Sequence, residues 1–329
     1  MMRTGAGFIP VLHAALDSRP DEVDTIISAR AVAGALHRLG YATEIIALAP
    51  DLRGIDALSA RRPLLVFNLV DAVGGNCRLA PMVPARLDAL HLPYTGAGTA
   101  AWLETLSKIG TKLKLEHAGL PTPQWSEDGK GLDPDARYIV KPVWEHGSLG
   151  LDPSSVVPGR KASRAILERS LRWKTEHFAE AYIEGREFAA AMIEVEGGIE
   201  VLPIRETLFQ GFAAGEPRIA DYDAKWTPGS QAYAGTPRRF GVEREQPELA
   251  AELTRLARAC WDLFGVNGYA RVDFRVDGCG KPFILEVNMN PCLGMDAGFA
   301  ASAEAAGLSY DGLIRRIVEA SLGAMQATA

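Results

Sequence analysis

Four polar side chains near the C-terminal end of the chain have the types and the spacing of a metal-assisted phosphoryl-transfer site. Arg271 and Asp273 lie two residues apart, as do Glu286 and Asn288, and residues two apart on a strand share one face. A turn over 277–280 joins the two predicted strands and places the pairs roughly opposite each other. Carboxylate and amide oxygens suit Mg²⁺, which usually takes one or two carboxylates and completes its shell with phosphate and water.

A solvated strand face, whose charges simply meet water, is the alternative interpretation of this hairpin. The alternation of charge by itself favours that alternative. Two features favour a site instead: Glu286 follows the apolar run Pro282–Leu285, and the run Glu286–Pro291 places polar residues where a buried strand ends at a loop. We therefore interpret the hairpin as a place where a metal ion and a phosphate group bind.

Two lysines and a glycine-rich loop have contexts that suit contact with phosphate groups. Lys141 ends the apolar strand that begins at Tyr138, and Lys108 lies in a predicted helix. The loop 144–150 contains two glycines that let backbone N–H groups approach an anion, and Ser148 adds a hydroxyl. Each lysine alone is more typical of a surface residue, and the Gly-x-x-x-x-Gly-Lys-Ser/Thr phosphate loop does not occur.

The segment Gly96–Ala101 matches the Gly-x-Gly-x-x-Ala form of the dinucleotide fingerprint, with Glu116 about twenty residues further on. That fingerprint requires a preceding strand within the first βαβ unit, whereas here several predicted strands come earlier. We interpret the segment as a connector that leads into a helix. A nicotinamide-dependent oxidoreductase is the alternative, and a titration that shows no affinity for NAD(H) would remove it.

The composition is that of a globular protein with a full core. The 329 residues include 47% hydrophobic and 23% charged residues, with a formal net charge of −6, which argues against a nucleic-acid binder. Four cysteines without metal spacing indicate a reduced, cytoplasmic chain. No apolar run reaches the ~18 residues that a membrane span needs. We therefore expect neither a nucleic-acid nor a membrane partner.

The elements that must position these side chains alternate in the first hundred residues. Short apolar runs predict buried parallel strands at Phe8–Leu12, Glu44–Leu48 and Leu64–Val70. Apolar residues at helical spacing predict a helix from Asp21 to Leu39, and a second helix is expected over Pro81–Leu90. This order predicts an N-terminal βαβ domain.

The rest of the chain is predicted to form two α+β units. One helix is expected over Thr99–Ala118, a turn at Gly185, and irregular structure over Gly211–Thr236. The other predicted elements are strands at Tyr138–Lys141, His177–Ile183, Phe188–Val195, Gly198–Leu208, Tyr269–Val276 and Pro282–Val287, and helices at Ala162–Trp173, Pro247–Phe264 and Ser309–Leu322.

In their order along the chain, these motifs resemble the D-alanine–D-alanine ligase family of ATP-grasp enzymes. The resemblance covers most of the chain and depends on nine motifs at family spacing: Leu92–Gly96, Ser107–Lys108, Gly119–Pro123, Ile139–Pro142, Gly147–Gly150, Glu180–Glu187, Asp223–Lys225, Arg271–Phe274 and Glu286–Pro291. It implies an ATP-grasp fold of α/β and α+β class. The implied domains are an N-terminal substrate domain over 1–97 and two α+β units, 98–183 and 184–329, that sandwich ATP.

The resemblance also implies a role for each matched residue. The residues implied to bind ATP are Lys108 and Lys141 at the phosphates, Glu180 and Ile183 at the adenine edge, Glu187 at the ribose, and Ile139, Tyr182 and Leu285 as the adenine walls. The implied ligands of two Mg²⁺ ions, with Mn²⁺ as an alternative, are Asp273, Glu286 and Asn288. The implied catalytic residues are Arg271 at the tetrahedral intermediate, and Ser148 and Lys225 near the γ-phosphate.

The residues implied to meet the substrates depart from the family pattern. The N-terminal acidic residue of the family corresponds to Asp21 or Glu22. The substitutions are Gly147 for Ser, Trp226 for Tyr, Cys292 after Asn290-Pro291 for Gly, and Ala297 near the Ser that receives the second substrate's carboxylate. The segment Asp71–Asn76 replaces a further family motif.

The expected function is therefore an ATP- and Mg²⁺-dependent ligase that joins a carboxylate to an amine through an acyl-phosphate and releases ADP and phosphate. Its expected partners are small-molecule amino acids or carboxylates, and the resemblance leaves a homodimer open. Two alternatives stay open: a related ligase whose substrate is not D-alanine, and a nucleotide-binding protein without ligase activity.

Overall fold

The computed structural model describes residues 7–15, 19–213 and 215–328. Its N-terminal region alternates strands and helices in the order β1 (Val11–Ala14), α1 (Pro20–Arg38), β2 (Ile45–Leu48), α2 (Arg53–Arg61), β3 (Phe67–Asn68) and α3 (Met82–Ala89). The three strands form a parallel sheet in the order β2-β1-β3. The predicted βαβ arrangement is confirmed, although β1 begins at Val11 and Phe8 makes only an isolated bridge to Ala42.

Two helices, α4 (Thr99–Thr105) and α5 (Lys108–His117), connect this region to the next sheet. The prediction of one helix over Thr99–Ala118 is wrong because Ser107 caps a new helix. The Ser107 Oγ accepts a hydrogen bond from the Gly110 N–H at 3.2 Å, which satisfies one of the unpaired donors of the first helical turn. The break places Lys108 at the beginning of α5 rather than inside a longer helix.

A four-stranded sheet follows, with the elements β4 (Trp125–Ser126), β5 (Arg137–Pro142), β6 (Val156–Pro158), α6 (Ala162–Trp173) and β7 (His177–Ala181). The strand order is β4-β7-β5-β6, and β5 pairs with β7 in antiparallel register. In this register Ile139 lies opposite Glu180.

The largest sheet has six strands in the order β11-β10-β8-β12-β13, with β9 paired to β8. Its elements are β8 (Gly185–Val195), β9 (Gly198–Val201), β10 (Arg205–Thr207), α7 (Tyr222–Trp226), α8 (Gln231–Ala234), β11 (Arg238–Arg239), α9 (Val242–Glu245), α10 (Pro247–Phe264), β12 (Tyr269–Asp277), β13 (Pro282–Asn288), α11 (Gly298–Ala305) and α12 (Tyr310–Thr328). Each of the three sheets is formed by strands from a single predicted domain, 1–97, 98–183 or 184–329. The exact boundaries of these domains stay a prediction.

Three of the predicted local elements in this region are wrong. The strand expected over Gly198–Leu208 is two strands, because Pro203 between them has no N–H to donate to a sheet. Gly185 begins β8 instead of forming a turn. The segment expected to be irregular contains the short helices α7 and α8, each begun by a side-chain cap, from Asp221 and Ser230 respectively.

The six-stranded sheet is buried on both faces over much of its area. Phe188 and Val272 pack with Leu253 of α10 in one apolar cluster, whereas Ile193 packs with Ile317 of α12 in another. Burial on both sides holds β8, β12 and β13 rigidly, so the polar side chains at their ends are carried by a stiff support. Within the described residues, the model contains no helix with the length and apolar character that crossing a membrane requires.

Candidate active site

A cleft with an empty volume of about 820 Å³ lies between the four-stranded and the six-stranded sheets. Its walls come from β5 and β7 on one side and from β8, β12 and β13 on the other. All eight residues that the sequence predicted to bind a nucleotide line this one cleft: Lys108, Ile139, Lys141, Glu180, Tyr182, Ile183, Glu187 and Leu285. The tertiary structure therefore brings together residues that are up to 177 positions apart in sequence.

The hairpin β12–β13 places two of the three predicted metal ligands, Asp273 and Glu286, in the wall of the cleft. The two polar pairs lie opposite each other, as the turn between the strands predicted, and the register places Asp273 opposite Glu286 and Arg271 opposite Asn288. The Arg271 guanidinium holds the Asp273 carboxylate with two hydrogen bonds of 2.8 Å, from Nε and Nη2. The register between β12 and β13 shifts after Asp273, so the residue pairs that follow are displaced relative to those before it.

The Glu286 carboxylate is held in its ionised form. Its oxygen Oε1 contacts His146 Nδ1 and lies 3.7 Å from Lys108 Nζ. Burial alone would raise the pKa of Glu286, but Lys108 and His146 outweigh it and hold the pKa well below its ordinary value. A carboxylate that stays negative inside a cleft is a good ligand for a cation.

A buried ionic triad lies at the wall of the cleft that β5 and β7 form. Glu180 Oε2 lies 2.7 Å from Lys112 Nζ, and Glu180 Oε1 pairs with Lys141. Burial opposes the charge of Glu180, yet the two ammonium groups hold its pKa below the ordinary value. Burial lowers the pKa of Lys112, whose side chain is 1% exposed. The triad fixes Lys141 and Glu180, both of which line the cleft.

The glycine-rich loop is tied down over the cleft by hydrogen bonds from outside the loop. Gly147 and Ser148 both have positive φ, 69° and 65°, a conformation that glycine adopts easily and serine rarely. Trp226 Nε1 donates to the Gly147 carbonyl at 2.7 Å, and the Ser148 hydroxyl donates to the Ala220 carbonyl at 2.7 Å. The tryptophan that replaces the family's tyrosine therefore contacts the backbone of the loop.

Lys225 also lines the cleft, and no hydrogen bond or ion pair of its ammonium is found among the residues that the structure describes. Desolvation inside the cleft lowers the pKa of Lys225, and the nearby Arg271 lowers it further, whereas Asp273 and Glu286 act in the opposite direction. An ammonium in this position is ready to meet an anion that enters the cleft.

The predicted substrate residues lie where the N-terminal region faces the C-terminal region. Asp21 on α1 accepts a hydrogen bond of 2.8 Å from the Tyr222 hydroxyl, and Glu22 caps the start of α1 by accepting from the Arg19 N–H at 3.1 Å. Desolvation and Asp21 raise the pKa of Tyr222 to about 12, so the phenol stays a donor.

Cys292 and Asn290 connect the end of β13 to the N-terminal region. The Cys292 thiol donates to Asp24 Oδ2 across 3.0 Å, and burial raises its pKa to about 12. Asn290 Nδ2 donates to the Val70 carbonyl at 3.2 Å. Ala297 is the N-terminal cap of α11 and offers no side-chain acceptor.

Sequence reasoning missed three residues of this region. Lys112 completes the triad and lies four residues after Lys108, which is a helical spacing that could have placed both on one side of α5. His146 was part of the predicted loop, but nothing local indicated its contact with Glu286. Tyr222 bonds to Asp21 across 201 positions, and no sequence pattern reports such a contact.

The fold and the cleft define the class of the protein. Two α+β units that face each other across a cleft lined by lysines and carboxylates, with an acidic hairpin on one wall, are the arrangement of an ATP-grasp ligase. Residues 136–319 match the family model described as D-ala D-ala ligase C-terminus. The chain belongs to the D-alanine–D-alanine ligase family, and this membership confirms the predicted enzyme class, an ATP-binding ligase that forms carbon–nitrogen bonds.

Individual relatives agree with this assignment. The chain is 32% identical to a D-alanine–D-alanine ligase from Desulforudis audaxviator, over 88% of this chain and 91% of that protein. It is 31% identical to another from Methylococcus capsulatus, over 89% and 90%. The solved structure of the Bacillus anthracis D-alanine–D-alanine ligase complexed with ATP shares the fold, with a TM-score of 0.76, 23% identity and coverage of 98% and 100%.

Proposed function

We propose that this enzyme joins the carboxylate of one small molecule to the amine of another, using ATP and Mg²⁺, through an acyl-phosphate, with release of ADP and phosphate. The observation that carries the proposal is the placement of two carboxylates, Asp273 and the ionised Glu286, in the wall of a cleft that also contains Lys108, Lys141 and Lys225. Phosphoryl transfer needs little from the protein except positioning and charge stabilisation, and these groups supply both.

The nucleotide would lie between the two sheets. Lys108 and Lys141 would contact its phosphates, because both line the cleft and both are anchored on carboxylates of rigid elements. Glu180 and the backbone at Ile183 would meet the adenine edge, and Glu187 the ribose. The apolar walls would be Ile139, Tyr182 and Leu285.

The residues at the hairpin fit Mg²⁺. Among the described residues, no group of three His, Cys, Asp or Glu side chains forms a dedicated metal cage, and Mg²⁺ is usually bound by one or two carboxylates plus phosphates and waters. Asp273, Glu286 and Asn288 offer two carboxylates and one amide on neighbouring strands. When bound, the metal would neutralise phosphate charge during transfer, and Mn²⁺ would be an alternative ion.

The remaining groups would act on the reacting atoms. Lys225 would stabilise the γ-phosphoryl group, and the loop held by Ser148 would cover it and exclude water, which would otherwise hydrolyse an acyl-phosphate. A neutral amine would then attack the acyl carbon. Arg271, fixed on Asp273, would stabilise the negative charge of the tetrahedral intermediate, a contribution worth roughly 3–4 kcal/mol when one such donor is lost.

The two amino-acid subsites would lie between α1 and the segment after β13. Asp21, with its partner Tyr222, or Glu22 would receive the ammonium of the first substrate. The other residues proposed to contact a substrate are Trp226, Asn290, Cys292 and Ala297. Because Trp226, Cys292 and Ala297 depart from the family pattern, the identity of the substrates is the open part of the proposal, and a substrate other than D-alanine is the second candidate.

The decisive measurement is the release of ADP in a coupled assay with Mg²⁺ and ATP, across a panel of D- and L-amino acids and small carboxylates. ADP formation with identification of an amide product supports the proposal. Robust turnover with D-alanine alone would contradict the idea of an altered substrate. Binding of ATP that depends on Mg²⁺, without ADP formation for any compound, would instead favour a nucleotide-binding protein without ligase activity.

A further inference from the structure

Besides Lys225, a second cationic side chain near the cleft lacks a counter-charge among the described residues. Arg205 on β10 makes one hydrogen bond, from Nη1 to the Thr207 hydroxyl at 2.9 Å. Its Nε is buried and has no hydrogen-bond partner. Buried guanidinium groups are normally paired with carboxylates, so an unpaired one next to an active site calls for a ligand.

The nearest carboxylates are already engaged by other arginines. Asp273 is held at two points by Arg271, and Glu187 Oε2 lies 3.3 Å from Arg275 Nη2. Burial lowers the pKa of Arg205 to about 10, and Arg271 acts in the same direction. Asp273 and Glu187 raise the pKa of Arg205, but burial and Arg271 outweigh them. The guanidinium therefore stays charged at neutral pH, and neither carboxylate forms an ion pair with it among the described residues.

The sheet places Arg205 beside the metal ligands but outside them. Arg205 lies opposite Ala189, and Ala189 lies opposite Asp273, so the three side chains share one face. Strands lie about 4.8 Å apart, which puts the backbone of Arg205 roughly 10 Å from that of Asp273. Arg205 is therefore two strands away from Asp273 in the sheet, and one residue of β8 separates the two.

The guanidinium also lies against the beginning of α11. A Cβ on Gly298 would be 2.9 Å from Arg205 Nε, so the first residue of the helix touches the guanidinium. The cap residue Ala297 offers no side-chain acceptor to the first-turn N–H groups. A helix N-terminus carries partial positive charge, so the two neighbours repel each other unless an anion lies between them.

We propose that Arg205, together with the first turn of α11, binds a non-reacting carboxylate of a substrate. This inference depends on the proposed ligase function and names the chemistry of one substrate. That substrate is an amino acid whose free carboxylate is recognised by a guanidinium. The carboxylate is either the α-carboxylate of the amine substrate or the side-chain acid of an acidic amino acid. Arg205 is thus a residue that determines specificity, separate from the groups that activate ATP.

The test compares each carboxylate with its uncharged amide in the ADP-release assay. The probe pairs are D-alanine with D-alaninamide for the α-carboxylate, and D-aspartate with D-asparagine and D-glutamate with D-glutamine for a side-chain acid. Arg205→Met should raise the KM of the preferred carboxylate by roughly 10- to 100-fold, the range for losing a charged hydrogen bond. The KM for ATP and the KM for the matching amide should stay within about twofold.

Two further variants separate binding from a general structural effect. Arg205→Lys should recover part of the affinity because the charge is kept, and Gly298→Ala should weaken binding because the new Cβ displaces the guanidinium. Arg255→Met, which removes an exposed arginine paired with Glu252 on α10, is the matched control and should leave every KM unchanged.

Isothermal titration calorimetry measures the binding of the same six compounds to the enzyme in the presence of Mg²⁺ and ADP. This measurement does not depend on turnover. If the wild-type enzyme forms no ADP, the ligase proposal fails, while carboxylate-dependent binding that disappears in Arg205→Met still supports the inference. If turnover is normal but Arg205→Met binds carboxylates as the wild type does, the inference is wrong and the ligase stands. Absence of any carboxylate-dependent binding in the wild type also overturns it.

Discussion

Individual charges in this cleft are set by their neighbours rather than by exposure. Glu286 lies deep in the cleft, where burial would favour its neutral form, yet Lys108 and His146 keep it ionised. Arg271 positions the neighbouring Asp273 carboxylate with two hydrogen bonds. Such an arrangement prepares negative oxygen ligands before any cation arrives, which is the pre-organisation that active sites need.

Glu286→Gln tests the assignment of this carboxylate. The change keeps the size of the side chain and removes its charge, so the rate of ADP formation should fall by about 100-fold or more, the effect of losing one pre-organised electrostatic group. Glu248→Gln, on the exposed beginning of α10, is the control and should keep the wild-type rate. A Glu286→Gln enzyme with a near wild-type rate would show that the metal-site assignment is wrong.

At the scale of the elements, the glycine-rich loop beside the cleft is held at only a few points. The glycine-rich loop has no regular structure, and its position depends on bonds from Trp226 and Ser148 to backbone carbonyls. The strand β8, in contrast, is held along its length by β12. We therefore expect loop variants to change the coupling of the reaction and strand variants to change stability.

Trp226→Phe should loosen the loop, because it removes the indole N–H that donates to the Gly147 carbonyl at 2.7 Å. Water would then reach the acyl-phosphate, and the ratio of ADP released to amide product formed should rise severalfold, as measured by parallel ADP and product assays. Trp125→Phe removes a comparable but remote bond, from Nε1 to Glu116 at 2.9 Å, and should leave the ratio unchanged. An unchanged ratio in Trp226→Phe would argue against a role of this contact in closure.

Gly185→Ala should weaken the start of β8. A Cβ at residue 185 would lie 2.0 Å from the Val276 carbonyl oxygen on β12, so the two strands must separate. Overpacking of this kind costs about 1–3 kcal/mol in the free energy of unfolding, which urea denaturation would measure. Gly278→Ala, in the β12–β13 turn, is the matched control, because nothing lies within 4 Å of its Cβ. Equal stability of the two variants would contradict the close approach at Gly185.

At the scale of the whole molecule, a few long-range polar contacts hold the three sheets around the cleft. Tyr222 connects to Asp21, and Cys292 connects to Asp24, so the segments on both sides of the substrate region contact α1. Lys112 of α5 reaches Glu180 of β7 inside the fold. The stability of the molecule should therefore depend on ionisable groups at the functional cleft itself.

Glu180→Gln tests whether the free energy of unfolding depends on the charge of this buried carboxylate. At neutral pH the variant leaves Lys112 and Lys141 without their carboxylate, and loss of one partner of a buried ion pair costs about 3–5 kcal/mol. The native pKa of Glu180 is lowered, so its contribution is present above its ordinary pKa of 4.5 and is lost as the pH falls below that value.

Urea denaturation without nucleotide, from neutral pH to below pH 4.5, measures this effect. The difference in unfolding free energy between wild type and Glu180→Gln should shrink as the pH falls. Glu116→Gln, four residues after Lys112 on α5 and hydrogen-bonded to the partly buried Trp125, is the control. A difference that stays constant with pH would mean that Glu180 does not titrate as proposed.

The sequence by itself determined the features that depend on local spacing. The period of two along β12 and β13, with a turn between them, was sufficient to predict that the pair Arg271 and Asp273 lies roughly opposite the pair Glu286 and Asn288. The order of motifs such as Ile139–Pro142 and Glu286–Pro291 was sufficient for the family. Both follow from residues near each other in the chain, where backbone geometry allows few alternatives.

Only the tertiary structure decided which distant groups meet. The contacts of His146 with Glu286, of Tyr222 with Asp21, and of Arg205 with Gly298 join segments 93 to 201 positions apart. Such contacts depend on how the sheets pack against one another, and packing is set by the shape of the whole core rather than by any local pattern. For this reason the sequence was sufficient for the reaction class, whereas the unpartnered Nε of Arg205, from which we infer a carboxylate site, became visible only in the folded chain.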